Sequence, residues 1–338
     1  MSIQKNEICL LCNGIAHQVS NHTPGYTEAL NFSIYECETC MSSFASPLSV
    51  DDSIYENIYK HINYIPGYNR YHLYAREILK QKNPLEYLSR QEESYWAVTH
   101  HLKEKKIIGS SLKILEVGCG LGYLTYALRK DGYNILGLDG SLEAISWAKK
   151  HYGTFYSNST LRALKEKKES FDVIILNQII EHIPDINKFI SDAVSLLSTN
   201  GELVITTPNK SAYPNAQWET ELPPVHLWWF GESSLRYLAK LHKCAVSFVN
   251  FDLFYNSFCR LKTPPTSLQS RKPIFNKQGE ILVKQKLVNV GRVKRLLENL
   301  RILSTFRILR ANVTYKERWR GKQGPICAAI LIKEGVKQ

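Results

Sequence analysis

From Ser111 onward, the chain alternates short, mostly apolar runs with segments whose apolar residues recur at helical spacing. Residues 112–117 predict a buried strand, and residues 123–129 carry a helical pattern. Further strands are predicted at 132–138, 171–176, 202–206, 245–251 and 326–332, and further helices at 141–150, 186–197 and 235–241. This alternation predicts an α/β fold, a Rossmann-like doubly wound parallel sheet with helices on both faces.

The segment before this domain, residues 51–106, is predicted to form a helical lid. Asp51 or Asp52 can cap its first helix, Pro66-Gly67 interrupts the pattern, and Pro84 begins another helix. Eight tyrosines fall between positions 55 and 95. Tyr55 and Tyr59 lie one helical turn apart, so they share a face and are the predicted substrate-contacting pair. The alternative is that most of these tyrosines pack the lid onto the next domain.

Two Cys-x-x-Cys pairs near the N-terminus, Cys9/Cys12 and Cys37/Cys40, are separated by 24 residues. Paired motifs at this spacing are typical of a four-cysteine zinc site, so residues 1–50 are predicted to be a zinc ribbon. Unpaired thiols or a redox pair are the alternatives, and His17 or His22 could replace one ligand. Four thiolates leave no open coordination position, so this zinc is predicted to be structural.

Composition and charge narrow the class of protein. The 338 residues are 44% hydrophobic and 22% charged, which is typical of a globular chain of about two domains. No apolar run is long enough for a membrane-spanning helix, and no secretory signal is apparent, so a cytoplasmic location is expected. Residues 260–322 carry 17 Lys/Arg against 3 Asp/Glu, so the rest of the chain is nearly neutral. No nucleic-acid partner is therefore expected.

The basic residues lie in a predicted insertion at 253–322, before the last strand. Residues 287–310 have apolar positions at helical spacing among Arg and Lys, which predicts an amphipathic basic helix or helix pair. Three hypotheses follow: it lies on the anionic inner face of a membrane, it grips a sugar diphosphate or partner chain, or its apolar stripe faces the core. The α/β domain then comprises residues 107–252 with 323–338.

A glycine-rich turn follows the first predicted strand in the pattern Glu-x-Gly-x-Gly-x-Gly, beginning at Glu116. Glycines let a ligand approach the backbone beside a helix N-terminus. Asp139 ends the second strand, where its carboxylate can accept two hydrogen bonds from a ribose diol. A leading carboxylate would repel a pyrophosphate, but it suits a cation such as the ammonium or sulfonium of S-adenosylmethionine.

Five motifs occur in order: LEVGCGLG at 115–122, GLD at 137–139, FDVII at 171–175, EHIPD at 181–185 and TTPN at 206–209. Over residues 95–252, the chain thereby resembles the class I S-adenosylmethionine-dependent methyltransferases. The cysteine pairs and the segment PPVHLWWF at 223–230 narrow the resemblance to bacterial enzymes acting on nucleotide-activated or polymerised sugars. The sugar C-methyltransferases of that group have a longer C-terminal domain, so the resemblance here favours an oxygen acceptor.

The resemblance implies roles by position. The residues expected to line the methionine and ribose part of the cofactor are Glu116, Gly118, Gly120 and Gly122. Asp139 would hold the ribose hydroxyls, Gly140 would lie near the adenine, and Asn158 would substitute for an absent adenine-binding Asp. Asn177 and Gln178 would lie beside the transferred methyl group.

Methylation of a sugar hydroxyl needs a base with a pKa near neutrality, and histidine fits this need. His226, between Pro224 and an aromatic cluster, is the predicted general base, and the alternative is that it fixes its loop by hydrogen bonding. His182 is the second candidate, as a base or substrate ligand. Trp228 is a candidate platform for an apolar sugar face, although a core position is the alternative.

The sequence thus predicts an enzyme that methylates a saccharide oxygen, with S-adenosylmethionine as cofactor and zinc as a structural metal. One alternative is an RNA or protein methyltransferase that docks through the ribbon and the basic helix. Another is a non-enzymatic zinc-binding adaptor with a degenerate cofactor fold.

Overall fold

The computed structural model describes residues 6–51, 53–105, 111–212, 222–258, 272–284 and 324–333. Two sheets and a set of helices pack together in this part of the chain. The predicted basic helix at 287–310, and most of the insertion around it, lie outside the described residues. Among the residues described, no helix has both the length and the apolar character needed to cross a bilayer.

The N-terminal region is an antiparallel sheet with the strand order β1-β2-β3-β4-β10. Its strands are β1 (Asn6–Ile8), β2 (Ile15–Pro24), β3 (Asn31–Cys37), β4 (Ser43–Ser46) and β10 (Trp228–Trp229). The fifth strand therefore comes from a segment almost two hundred residues further along the chain than β4. In the β4–β10 pair, Trp228 lies opposite Phe44 and Trp229 opposite Ser43.

The segment predicted as a lid is helical, as expected, and its described residues contain four α-helices. They are α1 (Ser53–Lys60), α2 (Asn69–Glu77), α3 (Pro84–Ser89) and α4 (Glu93–Glu104). The Asp51 carboxylate accepts a hydrogen bond from the Ser53 amide at 2.9 Å and so caps α1. Proline at the start of α3 suits a helix N-terminus, because its missing N–H is not needed there.

The central sheet has seven strands in the order β11-β12-β9-β8-β5-β6-β7. The strands are β5 (Ile114–Val117), β6 (Ile135–Leu138), β7 (Tyr156–Ser157), β8 (Phe171–Asn177), β9 (Leu197–Pro208), β11 (Cys244–Phe248) and β12 (Ile326–Lys333). The helices between them are α5 (Tyr123–Lys130), α6 (Leu142–Tyr152), α7 (Leu161–Glu166), α8 (Ile186–Ser195) and α9 (Glu232–Leu241). Strand order reverses at β5, between β6 and β8, which is where doubly wound sheets bind ligands.

The sheet is mixed rather than wholly parallel. The β5–β6, β5–β8, β6–β7 and β8–β9 pairs are parallel, whereas β12 is antiparallel to both β9 and β11. The α/β prediction is confirmed, and the expectation of a fully parallel sheet was wrong at this edge. The apolar composition of a buried strand does not indicate its direction.

The strand predicted at 245–251 ends earlier, at Phe248, and a helix, α10 (Asp252–Phe258), begins soon after it. The Asn250 side chain accepts a hydrogen bond from the Asp252 amide at 2.7 Å, which starts a helical turn in place of a strand. Phe251 and Phe254 then pack against Trp96 of the lid helix α4. The first residues of the predicted insertion therefore contribute to the core.

Candidate active site

A cavity of about 1520 Å³ lies between the lid and the carboxyl ends of β5, β6 and β8. Single small-molecule sites usually occupy roughly 300–1,000 Å³, so this cavity has room for two ligands. Eleven of the predicted site residues line it, namely Tyr55, Tyr59, Glu116, Gly118, Gly120, Asp139, Gly140, Asn177, Gln178, His182 and His226. The structure therefore brings these residues together, while their individual roles stay predictions.

Asp139 connects the end of β6 to the glycine turn after β5. One carboxylate oxygen accepts a hydrogen bond from the Gly120 amide at 2.8 Å, and the other accepts one from the Ser141 amide at 2.9 Å. Burial raises the pKa of Asp139, although both backbone hydrogen bonds oppose that shift. Each oxygen keeps a lone pair, so this carboxylate can still accept hydrogen bonds from a diol.

Glu116 is a buried acid on β5, with 3% of its surface exposed. It accepts a hydrogen bond from the Thr125 hydroxyl of α5. Burial raises the pKa of Glu116 to about 8, even though the hydrogen bond from Thr125 lowers it. The side chain is therefore largely protonated at neutral pH, and a cationic ligand in the cavity would favour its ionised form.

Gly122 does not line the cavity, contrary to the expectation for it. Its backbone is left-handed, with φ of 76°, and a Cβ there would lie 2.5 Å from the Tyr156 ring and 2.9 Å from the Ala148 Cβ. This glycine therefore allows α5 and α6 to pack against β7. It supports the turn rather than contacting a ligand.

Asn158 is also displaced from its predicted role beside the adenine. Its side-chain amide donates hydrogen bonds to the carbonyl oxygens of Asp139 and Gly140, at 3.0 and 2.7 Å. The side chain is exposed and lies outside the cavity wall, whereas Ser159, Thr160 and Leu161 line it. Asn158 thus holds the loop that carries Gly140.

Asn177 and Gln178, at the end of β8, are held by β9. The Thr206 hydroxyl donates to the Asn177 side-chain oxygen at 2.8 Å, and the Gln178 side-chain amide donates to the Thr206 hydroxyl at 3.3 Å. Gln178 has a left-handed backbone, with φ of 56°, which turns the chain away from the strand. Both side chains line the cavity, and their hydrogen bonds to the Thr206 hydroxyl restrict how they are oriented.

The two predicted histidines meet at one end of the cavity, with ring centroids 4.5 Å apart. His182 donates from Nδ1 to the Val225 carbonyl at 2.6 Å, and burial lowers the pKa of His182 to about 4. Tyr55 also donates to the Val225 carbonyl, at 3.3 Å. Because His182 stays neutral and bonded to the loop, its geometry suits positioning better than proton transfer.

Glu181 is a further member of this group. Its carboxylate accepts a hydrogen bond from the Thr207 hydroxyl at 3.1 Å. Ligating atoms of Glu181, His182 and His226 all lie within 4.8 Å of one another. A carboxylate and two imidazoles at this spacing can share a proton through an acceptor hydroxyl or hold a cation.

A family profile described as "Methyltransferase domain" matches residues 81–246, slightly less than half of the chain. This match covers the lid helices α3 and α4 and the glycine turn, the acids and the strands that form the cavity. The chain contains a class I S-adenosylmethionine-dependent methyltransferase domain.

Curated relatives match about 30% of the chain. A ubiquinone biosynthesis O-methyltransferase of Bartonella quintana is 32% identical over 106 residues, which is 30% of this chain and 43% of that protein. The one from Pelagibacter ubique is 37% identical over 106 residues, 30% of this chain and 44% of that protein. The chain thus spans less than half the length of these curated relatives.

Solved structures with a similar fold include a SAM-dependent methyltransferase from Archaeoglobus fulgidus, with 17% identity and a TM-score of 0.40 over 70% of this chain and 93% of that one. Another is the plantazolicin methyltransferase BamL, with 15% identity and a TM-score of 0.43 over 85% of this chain and all of the other.

Trp228, predicted as a sugar platform, lies outside the cavity of the methyltransferase domain. It is fully buried in β10, its ring is stacked with Phe230 at 5.7 Å, and its indole N–H donates to the Ile183 carbonyl at 3.0 Å. The prediction of a substrate contact was wrong, because this aromatic residue joins the N-terminal sheet to the methyltransferase core.

The lid contributes an ion pair between half-buried Arg70 and buried Glu92, which the sequence analysis did not single out. Arg70 donates to the Glu92 carboxylate at 2.6 Å, to the Gly67 carbonyl at 2.5 Å and to the Tyr71 hydroxyl at 2.7 Å. Arg70 lines the cavity together with Tyr123, the first residue of α5. Within the described part of the chain, these three contacts leave two of its five N–H groups for a ligand.

The four cysteines of the N-terminal sheet converge as their spacing predicts. The sulfur atoms of Cys9 and Cys40 are 3.7 Å apart, those of Cys12 and Cys37 are 3.3 Å apart, and all four lie within 4.8 Å of one another. Zn–S bonds of about 2.3 Å in a tetrahedron place sulfur atoms about 3.8 Å apart. Amides of Gly14 and Thr39 point at the sulfurs of Cys12 and Cys37, which suits bound thiolates. These residues therefore fit a structural zinc.

Proposed function

We propose that this protein is an O-methyltransferase that transfers the methyl group of S-adenosylmethionine to a hydroxyl of a small acceptor. The observation that carries the proposal is the shared cavity: the acids of the cofactor side and the histidines of the opposite side line one space. Bound S-adenosylmethionine would supply an electrophilic methyl group. The protein's own residues must hold the cofactor, align the acceptor and accept its proton.

On the cofactor side, each residue group suits one part of the molecule. Asp139 would accept hydrogen bonds from the ribose hydroxyls, next to Gly140. Glu116, buried and poised to ionise, would face positive charge. Arg70 lines the cavity from the lid, as does Tyr123 at the start of α5, so Arg70 and that helix end would bind the methionine carboxylate.

On the acceptor side, His226 is the proposed general base. It is buried, lies against the His182 ring and follows Val225, whose carbonyl is held by two side chains. Neutral His182 would fix this arrangement through its bond to Val225. Tyr55 and Glu181 would orient the acceptor hydroxyl. Zinc at the four cysteines would hold the N-terminal sheet and take no part in methyl transfer.

A saccharide, free as a nucleotide sugar or within a glycan, is the acceptor that we propose first, because of the resemblance to sugar-modifying enzymes. The curated relatives support a second candidate, an O-methylation in ubiquinone biosynthesis, since that is what their names state. Two further hypotheses concern the basic segment: an RNA or protein acceptor docks on it and on the ribbon, or it contacts an anionic membrane. Both stay predictions, because residues 285–323 lie outside the described part of the chain. A cytoplasmic location also stays a prediction.

The test is incubation with methyl-labelled S-adenosylmethionine and panels of nucleotide sugars, glycans and hydroxylated aromatic compounds. We expect label in a hydroxyl-derived methyl ether of one panel. His226→Asn should lower turnover on that acceptor by about 100-fold or more, because general bases contribute 10²–10⁴. Affinity for S-adenosylhomocysteine, the cofactor's product, should change less than twofold.

His151→Asn is the matched control, since His151 is stacked on Trp147 outside the cavity wall and should not affect turnover. Undiminished turnover of His226→Asn would remove His226 from the mechanism. A chain that binds neither S-adenosylmethionine nor S-adenosylhomocysteine would instead be the zinc-binding adaptor.

A further inference from the structure

The loop that carries His226 is part of the N-terminal cysteine-bearing sheet as well as of the cavity wall. Immediately after His226, the Leu227 carbonyl accepts a hydrogen bond from the Ala45 amide of β4 at 2.8 Å. The next two residues form β10, the fifth strand of that sheet. The sheet is therefore continued by residues two and three positions beyond the proposed base.

The same loop is also hydrogen-bonded to the methyltransferase domain. The Leu227 amide donates to the Glu181 carbonyl at 2.8 Å, and the Trp228 indole donates to the Ile183 carbonyl at 3.0 Å. Val225, on the other side of His226, accepts the hydrogen bond from His182. His226 thus lies between two residues held by hydrogen bonds, and one of these, Leu227, is held from the cysteine-bearing sheet.

Two of the four cysteines, Cys37 and Cys40, lie between or at the ends of β3 and β4. Residues 38–42 link β3 to β4, and the Cys37 amide donates to the carbonyl of Ser42, the residue before β4, at 2.9 Å. The Cys40 carbonyl also accepts a hydrogen bond from the Ser234 hydroxyl of α9 at 3.1 Å. Because two of the four sulfurs lie at this connection between β3 and β4, a metal that gathers the sulfurs restricts the strand that bonds to Leu227.

The cofactor side of the cavity is organised without this sheet. The glycine turn is held by hydrogen bonds from the Gly118 amide to the Leu138 carbonyl, at 2.8 Å, and from the Gly120 amide to Asp139. These bonds connect β5 to β6, on the far side of β8 from β9. Loosening the cysteine-bearing sheet is thus expected to disturb the acceptor side selectively.

We propose that the metal-binding cysteine turn positions His226: an occupied site holds β4, β4 holds Leu227, and His226 is kept against His182 in the cavity. This inference rests on the proposed function, because it concerns the base of that reaction. It assigns the N-terminal sheet a role in the active site, in addition to its structural one. His226 remains the catalytic residue, and the cysteines and Ala45 are positioning residues.

The first test compares full-length protein carrying zinc with the same protein after removal of zinc by a chelator. Proton and carbon resonances of labelled histidine rings report the His182–His226 contact, and calorimetry gives the affinity for S-adenosylhomocysteine. We expect removal to shift both ring signals and abolish the cross-relaxation between them, while the dissociation constant changes less than threefold. Unchanged ring signals would overturn the proposal, and so would a joint loss of ring contact and cofactor binding, since that indicates general destabilisation.

The second test leaves the metal in place. Ala45→Pro removes the amide that bonds to Leu227, whereas Ala45→Gly keeps it and is the matched control. With zinc content of one per chain confirmed in both, Ala45→Pro should reproduce the histidine ring shifts and Ala45→Gly should not. Equal spectra from the two variants would contradict the inference. If the unmodified protein failed to bind S-adenosylhomocysteine at all, the proposed function would fall, and the ring contact would still be measurable separately.

Discussion

At the scale of single residues, the cavity contains one acid that is protonated near neutral pH, Glu116, and one side chain that is permanently positive, Arg70. Glu116 is buried and bonded to a hydroxyl, so its proton is retained near neutral pH. Arg70 keeps its charge beside Glu92 because guanidinium groups do not lose their proton in proteins. The two side chains suit opposite charges of one zwitterionic ligand.

Cofactor affinity should depend on pH through Glu116. Below about pH 8 its carboxyl is protonated in the free protein, so binding of a cation must release a proton. We expect the affinity for S-adenosylhomocysteine, whose ammonium is positive, to increase as pH rises from 6 to 8. Glu116→Gln should remove this dependence, as measured by calorimetry in buffers of different ionisation enthalpy. A pH-dependent affinity in Glu116→Gln would assign the proton to another group.

The same shift affects the stability of the ligand-free protein. The folded state binds the Glu116 proton up to about pH 8, whereas an unfolded chain releases it near its ordinary pKa of about 4.3. The folded state therefore binds more protons in this window, and this residue's contribution to the free energy of unfolding falls as pH rises through it.

Arg70 should raise the affinity for ligands that carry a carboxylate, such as S-adenosylhomocysteine, over those that lack one. Arg70→Gln together with Glu92→Gln removes both charges of the pair, so no buried charge is left unpaired. We expect this double variant to bind S-adenosylhomocysteine about tenfold more weakly, equivalent to roughly 1.4 kcal/mol. Methylthioadenosine, which lacks the carboxylate, should bind as it does to the unmodified protein.

Arg162→Gln serves as the control, because Arg162 also lines the cavity but pairs with Glu166 of its own helix, α7. Equal weakening of both ligands by the Arg70/Glu92 variant would indicate a packing effect and not carboxylate binding.

At the scale of elements, the turn between β5 and α5 depends on three left-handed glycines, with φ of 71°, 53° and 76° at Gly118, Gly120 and Gly122. They bring the N-terminus of α5 to the cavity, where its amides and partial positive charge are available to a ligand. Gly122 does not line the cavity, and its lack of a Cβ leaves room for the Tyr156 ring beside the turn.

Gly122→Ala should destabilise the turn, since alanine in a left-handed conformation is strained and its Cβ meets Tyr156. We expect the free energy of unfolding to fall by about 1–3 kcal/mol, measured by denaturant titration with an unchanged m-value. Gly140→Ala is the control, because nothing lies within 4 Å of a Cβ at that position. A stability loss of the same size at both positions would refute the packing explanation.

At the scale of the whole molecule, polar contacts tie the lid to the central sheet. Glu202 of β9 accepts hydrogen bonds from His101 and Lys105, at or just beyond the end of α4, each at 2.7 Å. Burial raises the pKa of Glu202, but the hydrogen bonds and charges of His101 and Lys105 outweigh burial and lower it overall. The ionised carboxylate of Glu202 therefore stabilises the contact between α4 of the lid and β9 of the central sheet.

Glu202→Gln should lower the free energy of unfolding at pH 7 by about 1–3 kcal/mol, because charge-assisted hydrogen bonds between lid and sheet are lost. Since the folded-state pKa of Glu202 is depressed, its contribution is present above the unfolded pKa and is lost as pH falls through the folded value. The variant should thus show a weaker loss of stability in acid. Glu86→Gln, in an exposed pair with Arg90, should have little effect.

Several features followed from local sequence because their physical causes are local. The buried strands are runs of apolar residues, the helix starts carry Asp51, Ser141 or Pro84, and the cysteine spacing matches one tetrahedral ion. Glu116 and Asp139 both line the cavity, since each ends or precedes a turn at the carboxyl edge of the sheet, and their roles toward a cofactor stay predictions. Strands as short as β7 and β10 were missed, because two residues have no recognisable period.

The amino-acid sequence by itself determined the α/β domain, the glycine turn with its acids and the set of four cysteines, because periodicity and spacing act over a few residues. Only the tertiary structure decided that Trp228 is core, that Gly122 and Asn158 support loops, and that Arg70 meets Glu92. It alone brought Glu181 to His226 and joined β10 to β4. Those outcomes depend on contacts between distant segments, and such contacts are set by the packing of whole elements rather than by any local pattern.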